Sequence, residues 1–297
     1  MKRTVVLGIL VCIGGFTIAA SGVQNQAPPA LELQKVKDNL YMVVTPDYGA
    51  GNTAVFITEG GVVLVDTKTP GNGQAILDKV KTITPKPVTM VINTHSHADH
   101  TGSNDFFTGK VEFVAQENTK TNMQKMPEFS GDKAKFLPTK TFKDKLTLGK
   151  GNDQMDLYYF GRAHTNGDAW VVFRALRVMH SGDALAGKTT PIIDANNGGS
   201  AVEYGKTLEK AASTIKNVDT IITGHSPRMT PADLKQYAAF NDSFVAWVRD
   251  EIKAGKNVDA AAAEYKVPAQ FSGYTVSTFL GGIKNNVQIA YNELGQK

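Results

Sequence analysis

The chain has one cysteine in 297 residues, Cys12, and it lies inside the first apolar run. If that run is removed, no disulfide can form and no thiolate can hold a metal, so a metal site must use nitrogen and oxygen donors. A chain of this length buries enough apolar surface to fold without covalent staples. Long apolar stretches are equally scarce. The run over residues 5–20 follows Lys2 and Arg3, is short for a bilayer crossing, and has the form of a secretory signal. The sequence therefore predicts a signal peptide over residues 1–21, a flexible leader over 22–35 and a single domain over 36–297. The expected location is periplasmic or secreted, with no stable membrane span after signal cleavage. Excess charge of one sign is also missing. Lys+Arg number 32 against 28 Asp+Glu, with no arginine-rich stripe, which argues against a nucleic-acid partner.

What remains is a chain of short strands and helices. Residues 40–44, 53–57 and 62–66 are β-branched and punctuated by glycine, as in a strand meander. Ile76, Leu77, Val80 and Ile83 fall at helical spacing between Pro70 and Pro85. Further strands are expected at 88–92, 111–115, 155–160, 169–173, 177–180 and 220–223. Further helices are expected from Gln116 onward, over 201–215 and 231–254, and from Val276 to Tyr291. The polar stretch 123–145 reads as a surface excursion. The mixture argues for one α/β domain.

Only six histidines are present, and three of them sit with Asp99 in the run His95-Ser96-His97-Ala98-Asp99-His100. Buried imidazoles and carboxylates are costly unless paired, and a divalent cation is their strongest partner. The run begins just beyond the strand at 88–92. His164, Asp183 and His225 likewise follow strands, each close to a glycine that lets the backbone turn. Seven donors exceed the needs of one tetrahedral zinc and suit two ions. The natural division gives His95, His97 and His164 to one ion and Asp99, His100 and His225 to the other, with Asp183 bridging. His180 reads as a structural histidine, and Asp168 as a brace within its loop.

The motif His95-x-His97-x-Asp99-His100, with His164, Asp183 and His225 following in order, resembles the metallo-β-lactamase superfamily. That resemblance implies a four-layer αββα sandwich with the metals at one edge of its two sheets. It also implies that Asp66, at the end of a strand, braces the histidine loop. The bridging position holds an aspartate, as in glyoxalase II-like and lactonase-like members and unlike the classical antibiotic-degrading ones.

The resemblance implies a binuclear metal-dependent hydrolase with two Zn2+, iron or manganese being the alternatives. A metal-bound hydroxide would attack a cyclic amide or ester carbonyl of a β-lactam or lactone-like small molecule. Asp99 would orient the nucleophile or pass on its proton. Tyr48 and Lys188 are candidate substrate contacts, in the turn at 45–52 and the loop at 187–199. The alternatives are a di-iron oxidoreductase on the same ligands, a thioesterase and a phosphodiesterase. A phosphodiesterase acting on nucleic acid would want a basic track, which is missing. Lys253, Lys256 and Lys284 do not form the cationic patch that a glutathione thioester would require.

Overall fold

A computed structural model describes residues 30–295. The expected signal peptide lies outside these residues. Two β-sheets form the centre. The first has seven strands in sequence order: β1 (Glu32–Lys37), β2 (Leu40–Val44), β3 (Thr53–Thr58), β4 (Gly61–Val65), β5 (Val88–Ile92), β6 (Glu112–Gln116) and β7 (Lys140–Phe142). The second has five, ordered β12 (Thr220–Ile222), β11 (Val178–His180), β10 (Trp170–Phe173), β9 (Met155–Tyr158) and β8 (Lys145–Leu148). β1 to β4 form an antiparallel meander, whereas β4 to β7 pair in parallel.

Side-chain alternation divides the apolar residues into three layers of core. On β4, Val63 and Val65 face the space between the sheets, and Val62 and Leu64 face the opposite side. That outer side packs on α1 (Gly73–Lys81) through Ile76 and Val80, and on α3 (Glu117–Met123) through Met123. On β10, Val171 and Phe173 enter the inter-sheet core, where Phe173 meets Phe56 edge-on at 5.1 Å. Trp170 and Val172 face α4 (Ala201–Thr214), α5 (Pro231–Lys253) and α7 (Gly282–Gly295). α5 starts on a Thr230–Asp233 capping box with Pro231 in its first turn, and buries Leu234, Tyr237, Ala238, Phe244, Val245 and Val248 along one side. The result is helix on sheet on sheet on helix, as the resemblance implied.

The structure corrects several expectations. The first sheet begins at Glu32, within the segment assigned to a flexible leader through residue 35. The polar stretch 123–145 is more than a surface excursion, because it buries Phe129 and Phe136 against the first sheet and supplies β7. A short helix, α6 (Val258–Glu264), has no counterpart in the sequence reading. The last helix starts at Gly282 instead of Val276, because Leu280, Gly281 and Gly282 all have left-handed φ values (48°, 82° and 59°). Among the described residues no helix is long and apolar enough to cross a membrane.

Phe173 should carry much of the inter-sheet packing. Phe173→Ala is expected to cost about 3–5 kcal/mol in urea unfolding, against under about 0.5 kcal/mol for Ala at the exposed Phe279.

Candidate metal centre

Each candidate ligand leaves the end of a strand at the same edge of the sandwich. β5 ends at Ile92 and the chain turns through Asn93 and Thr94 into His95. His97 then caps a single helical turn, α2 (Ala98–Thr101), that carries Asp99 and His100. His164 lies beyond β9, Asp183 beyond β11 and His225 beyond β12. The ligating atoms of His95, His97, His164 and Asp183 lie within 4.8 Å of one another, as do those of Asp99, His100 and His225. This is the division expected from the sequence.

Asp183 joins the two groups. Its Oδ2 is 3.9 Å from His95 Nε2 and 3.7 Å from His164 Nε2, and 3.4 Å from His225 Nε2 on the other side. Its Oδ1 stands 3.2 Å from His100 Nε2. Two glycines make the room. A Cβ at Gly224 would collide with Asp183 Oδ1, and one at Gly51 would enter the His100 ring.

The outward nitrogen of every histidine in the set is answered by a fixed partner. His100 Nδ1 bonds Asp66 Oδ2 at 2.7 Å, and His97 Nε2 bonds Asp194 Oδ2 at 2.7 Å. His164 Nδ1 donates to the Ile192 carbonyl at 2.6 Å, and His225 Nδ1 donates to that of Tyr48 at 3.0 Å. His95 Nδ1 meets Thr94 Oγ1 at 3.0 Å, and that hydroxyl donates to Asp66 Oδ2 at 2.7 Å. Such partners fix which ring nitrogen keeps its proton, leaving the inward one as an acceptor for a cation. His97 is the exception in orientation: it points Nδ1 inward, 2.9 Å from His164 Nε2.

The set fits a pair of cations. His95 Nε2 is buried without a hydrogen-bond partner, although buried polar atoms are almost always satisfied. Protons take the cations' place in part. Burial disfavours a charged His225, but Asp183 and Asp99 outweigh it and push its pKa up to about 10. The same contest, with Asp183, Asp99 and Asp66 opposing burial, holds His100 well above its ordinary value. At the other group burial wins, aided by neighbouring imidazoles. His95 falls well below its ordinary value, and His164 falls to about 4. Burial alone would raise Asp99, yet His100 and His225 bring it down to about 2.

The sequence-derived residues divide clearly. All seven candidate ligands converge, and Asp66 is hydrogen-bonded to Thr94 and His100 of the histidine loop. His180 is structural: its Nε2 donates to the Asn52 carbonyl at 3.1 Å and its Nδ1 accepts from Gly182 N at 3.0 Å. Asp168 accepts from Thr165 N and Oγ1, closing its own loop. The two proposed substrate contacts do not line the metal cavity. The Tyr48 side chain packs against the inter-sheet core, and the residue serves the site through its carbonyl. Lys188 is held 2.9 Å from Asp233 beside a neighbouring cavity.

Two residues built into the site were missed. Asp194 orients His97; its Asp-Ala-Asn-Asn-Gly context shows only a turn. Lys68 is fully buried with φ 61°, and its Nζ donates to the Gly51 carbonyl at 2.7 Å. Burial lowers its pKa to about 7, against the pull of Asp66 and Asp99. The only available signal was its place two residues after Asp66.

Five of the seven candidate ligands, His97, Asp99, His164, Asp183 and His225, line a cavity of about 410 Å³, whose walls also include Gly49, Ala98, Ile192, Phe279 and Leu280.

Comparison with known proteins places this geometry. The family described as "Metallo-beta-lactamase superfamily" matches residues 46–225. Metallo-beta-lactamase type 2 of Elizabethkingia meningoseptica is 24% identical over 209 residues, covering 68% of this chain and 81% of its own. Metallo-beta-lactamase IND-1 of Chryseobacterium indologenes is 26% identical over 197 residues, covering 64% of this chain and 80% of its own. Among solved structures, the sec-alkylsulfatase Pisa1 from Pseudomonas sp. has a TM-score of 0.72 at 16% sequence identity. That match covers 89% of this chain but 50% of the sulfatase, so the chain spans half of that protein's length.

Two outcomes test the centre. Asp66→Asn and Asp194→Asn should each weaken metal binding or activity by about 10–100-fold, measured by competition with a chromogenic chelator. The protons on His100 and His225 must leave when metal enters, so affinity should rise between pH 6 and pH 9. Calorimetry in two buffers of different ionisation enthalpy should detect that proton release, and a zero count would contradict the assignment.

Proposed function

Because this chain belongs to the metallo-β-lactamase superfamily, we propose that it is a binuclear zinc hydrolase that opens a cyclic amide or ester, a β-lactam or lactone-like small molecule. The observation that carries the reading is Asp183, a buried carboxylate set between two groups of histidines and within 3.9 Å of His95, His100, His164 and His225. A structural zinc site closes with four ligands and has no use for seven.

When bound, two divalent cations supply a water that ionises near neutral pH and an electrophilic contact for the scissile carbonyl. The remaining tasks fall to the chain. His95 and His164 hold one side of the site as neutral imidazoles beside His97, each of the three locked by its outward partner. Asp99 is the more exposed of the two carboxylates in the ligand set, at 31% against 5% for Asp183, and it faces the cavity. Its Oδ2 is therefore placed to orient the attacking water and to pass a proton to the leaving nitrogen or oxygen. No serine or cysteine nucleophile is required. The cavity volume suits a small molecule.

The signal-like run at residues 5–20 supports a periplasmic or secreted location. The intact mass of exported protein should show loss of about the first 21 residues, the expected signal segment.

Protein purified without added metal should contain two zinc ions per chain. Iron with a visible charge-transfer band would instead favour a di-iron oxidoreductase. Turnover should appear on a β-lactam or a lactone in a panel that also holds thioesters, phosphodiesters and sulfate esters, and turnover confined to the latter three would overturn the choice. Asp183→Ala should lose both metal and turnover.

A further inference from the structure

We propose that the strap over residues 275–282 forms a wall that binds an apolar substituent of an uncharged substrate beside the metal centre. The inference rests on the hydrolase reading for the reacting bond, and on the strap itself for the substituent.

Among the described residues, the large apolar side chains that stand exposed are Phe106, Val276, Phe279 and Leu280. Three of these four fall within five positions, with exposures of 42%, 66% and 46% in chain order. Exposed apolar patches on a folded domain mark binding sites more often than chance. This one is also held in place. Thr275 exchanges backbone bonds with the 188–190 segment, its carbonyl accepting from Thr190 N at 2.8 Å and its N–H donating to Lys188 O at 3.1 Å. Ser277 N donates to Thr190 Oγ1 at 2.9 Å, and Phe279 N donates to Ser277 Oγ at 3.1 Å. Leu280 adopts φ 48° and ψ 39°, which disfavours a leucine and persists only where the surroundings impose it. A Cβ at Gly282 would press on the Ser277 carbonyl at 2.8 Å, so the strap closes tightly on itself.

The occupant follows from continuity. Phe279 and Leu280 line the same cavity as His97, Asp99, His164, Asp183 and His225, with Ile192 also in its wall. A group resting there is attached to whatever reaches the ligands. Charge recognition is missing from that lining, which contains no lysine or arginine. The nearby cations are engaged elsewhere, Lys188 by Asp233 and Lys68 by the Gly51 carbonyl. On the side that faces the ligands an alkyl or aryl group would find Ile192, Phe279 and Leu280 and an anionic one no cation, while Val276 turns to the adjoining cavity that Lys188 lines. The strap also lies beyond residue 225, where the family match ends. It lies outside the segment that carries the seven candidate ligands, a natural place for specificity.

The wall can be tested without hydrolysis. Cyclopentanone and 2-hexylcyclopentanone are unreactive probes that differ only by an alkyl chain, and calorimetry on the metal-loaded protein reads their affinities. The hexyl ketone should bind at least about tenfold tighter, because each fully buried methylene is worth up to about fourfold. Phe279→Ser and Leu280→Ser should each reduce that ratio by at least about threefold, and Phe279→Leu should restore most of it. Equal affinity for the two ketones, or a ratio untouched by both serine variants, would overturn the proposal. So would sedimentation showing that Phe279→Ser dissolves a dimer while leaving the ratio intact, since the wall would then serve a second copy of the chain. Failure of every lactone and lactam to turn over would sink the carbonyl reading and leave the ketone result standing.

Discussion

The Asp66 carboxylate is the interaction on which the centre depends. Oδ1 accepts the Thr94 N–H at 2.8 Å, and Oδ2 accepts both the Thr94 hydroxyl and His100 Nδ1 at 2.7 Å. Thr94 Oγ1 in turn meets His95 Nδ1. One carboxylate thus orients a ligand of each metal group, His100 directly and His95 through a hydroxyl. It can do so because β4 and β5 are parallel neighbours ending together, so residues just past each strand meet at the same edge. The backbone bends sharply to deliver it: Asp66 has φ 65° and Lys68 φ 61°, a conformation costing non-glycine residues about 1–3 kcal/mol each. Three hydrogen bonds to a fully buried carboxylate are strong enough to hold that geometry.

The other braces come from loops that differ in kind. The turn after β2 lends the Tyr48 carbonyl to His225. It is tied to the β12 end by Asn52, whose N–H donates to Gly224 O at 2.8 Å and whose Nδ2 donates to Thr223 and Ser226 carbonyls at 3.0 Å. The loop before α4 lends Ile192 O to His164 and Asp194 to His97. Neutral carbonyl braces and anionic ones are not equivalent. An anionic partner makes a ligating imidazole a better donor to a cation, while a carbonyl mainly fixes the ring.

This difference bears on what the sequence made legible. The ligands were readable because five histidines and two aspartates each followed an apolar strand, and a short spacing such as His95 to His100 needs no tertiary knowledge. The layers were readable where strands alternate cleanly, as on β4 and β10. β1, β7 and β8 escaped because these edge strands carry polar residues: β1 reads ELQKVK, and Lys140–Phe142 and Lys145–Leu148 each open on a lysine, so they look like loop. Asp194 escaped because a turn aspartate and a histidine brace have the same local pattern, and only the fold brings it across 97 positions to His97. Lys68 escaped because lysine is almost never buried, so composition argues against the truth. Tyr48 and Lys188 failed for the converse reason: residue type suggested a contact, and side-chain direction, invisible in the sequence, decided otherwise.

Charge balance joins the centre to its walls. Asp66, Asp99, Asp183 and Asp194 bring four formal negative charges to one buried edge, the amount that two divalent cations neutralise. Without cations, protons on His100 and His225 supply part of that compensation, which is why these two are held charged while His95 and His164 are not. With two cations bound, such a centre would exert little long-range pull on a charged substrate, and recognition would fall to short-range contacts in the cavity. The apolar side chains available there are those of Ile192, whose carbonyl also braces His164, and of Phe279 and Leu280 on the strap. A scaffold built this way keeps the reacting edge rigid through buried carboxylates while its choice of substrate can change through exposed apolar side chains, at small cost to the fold.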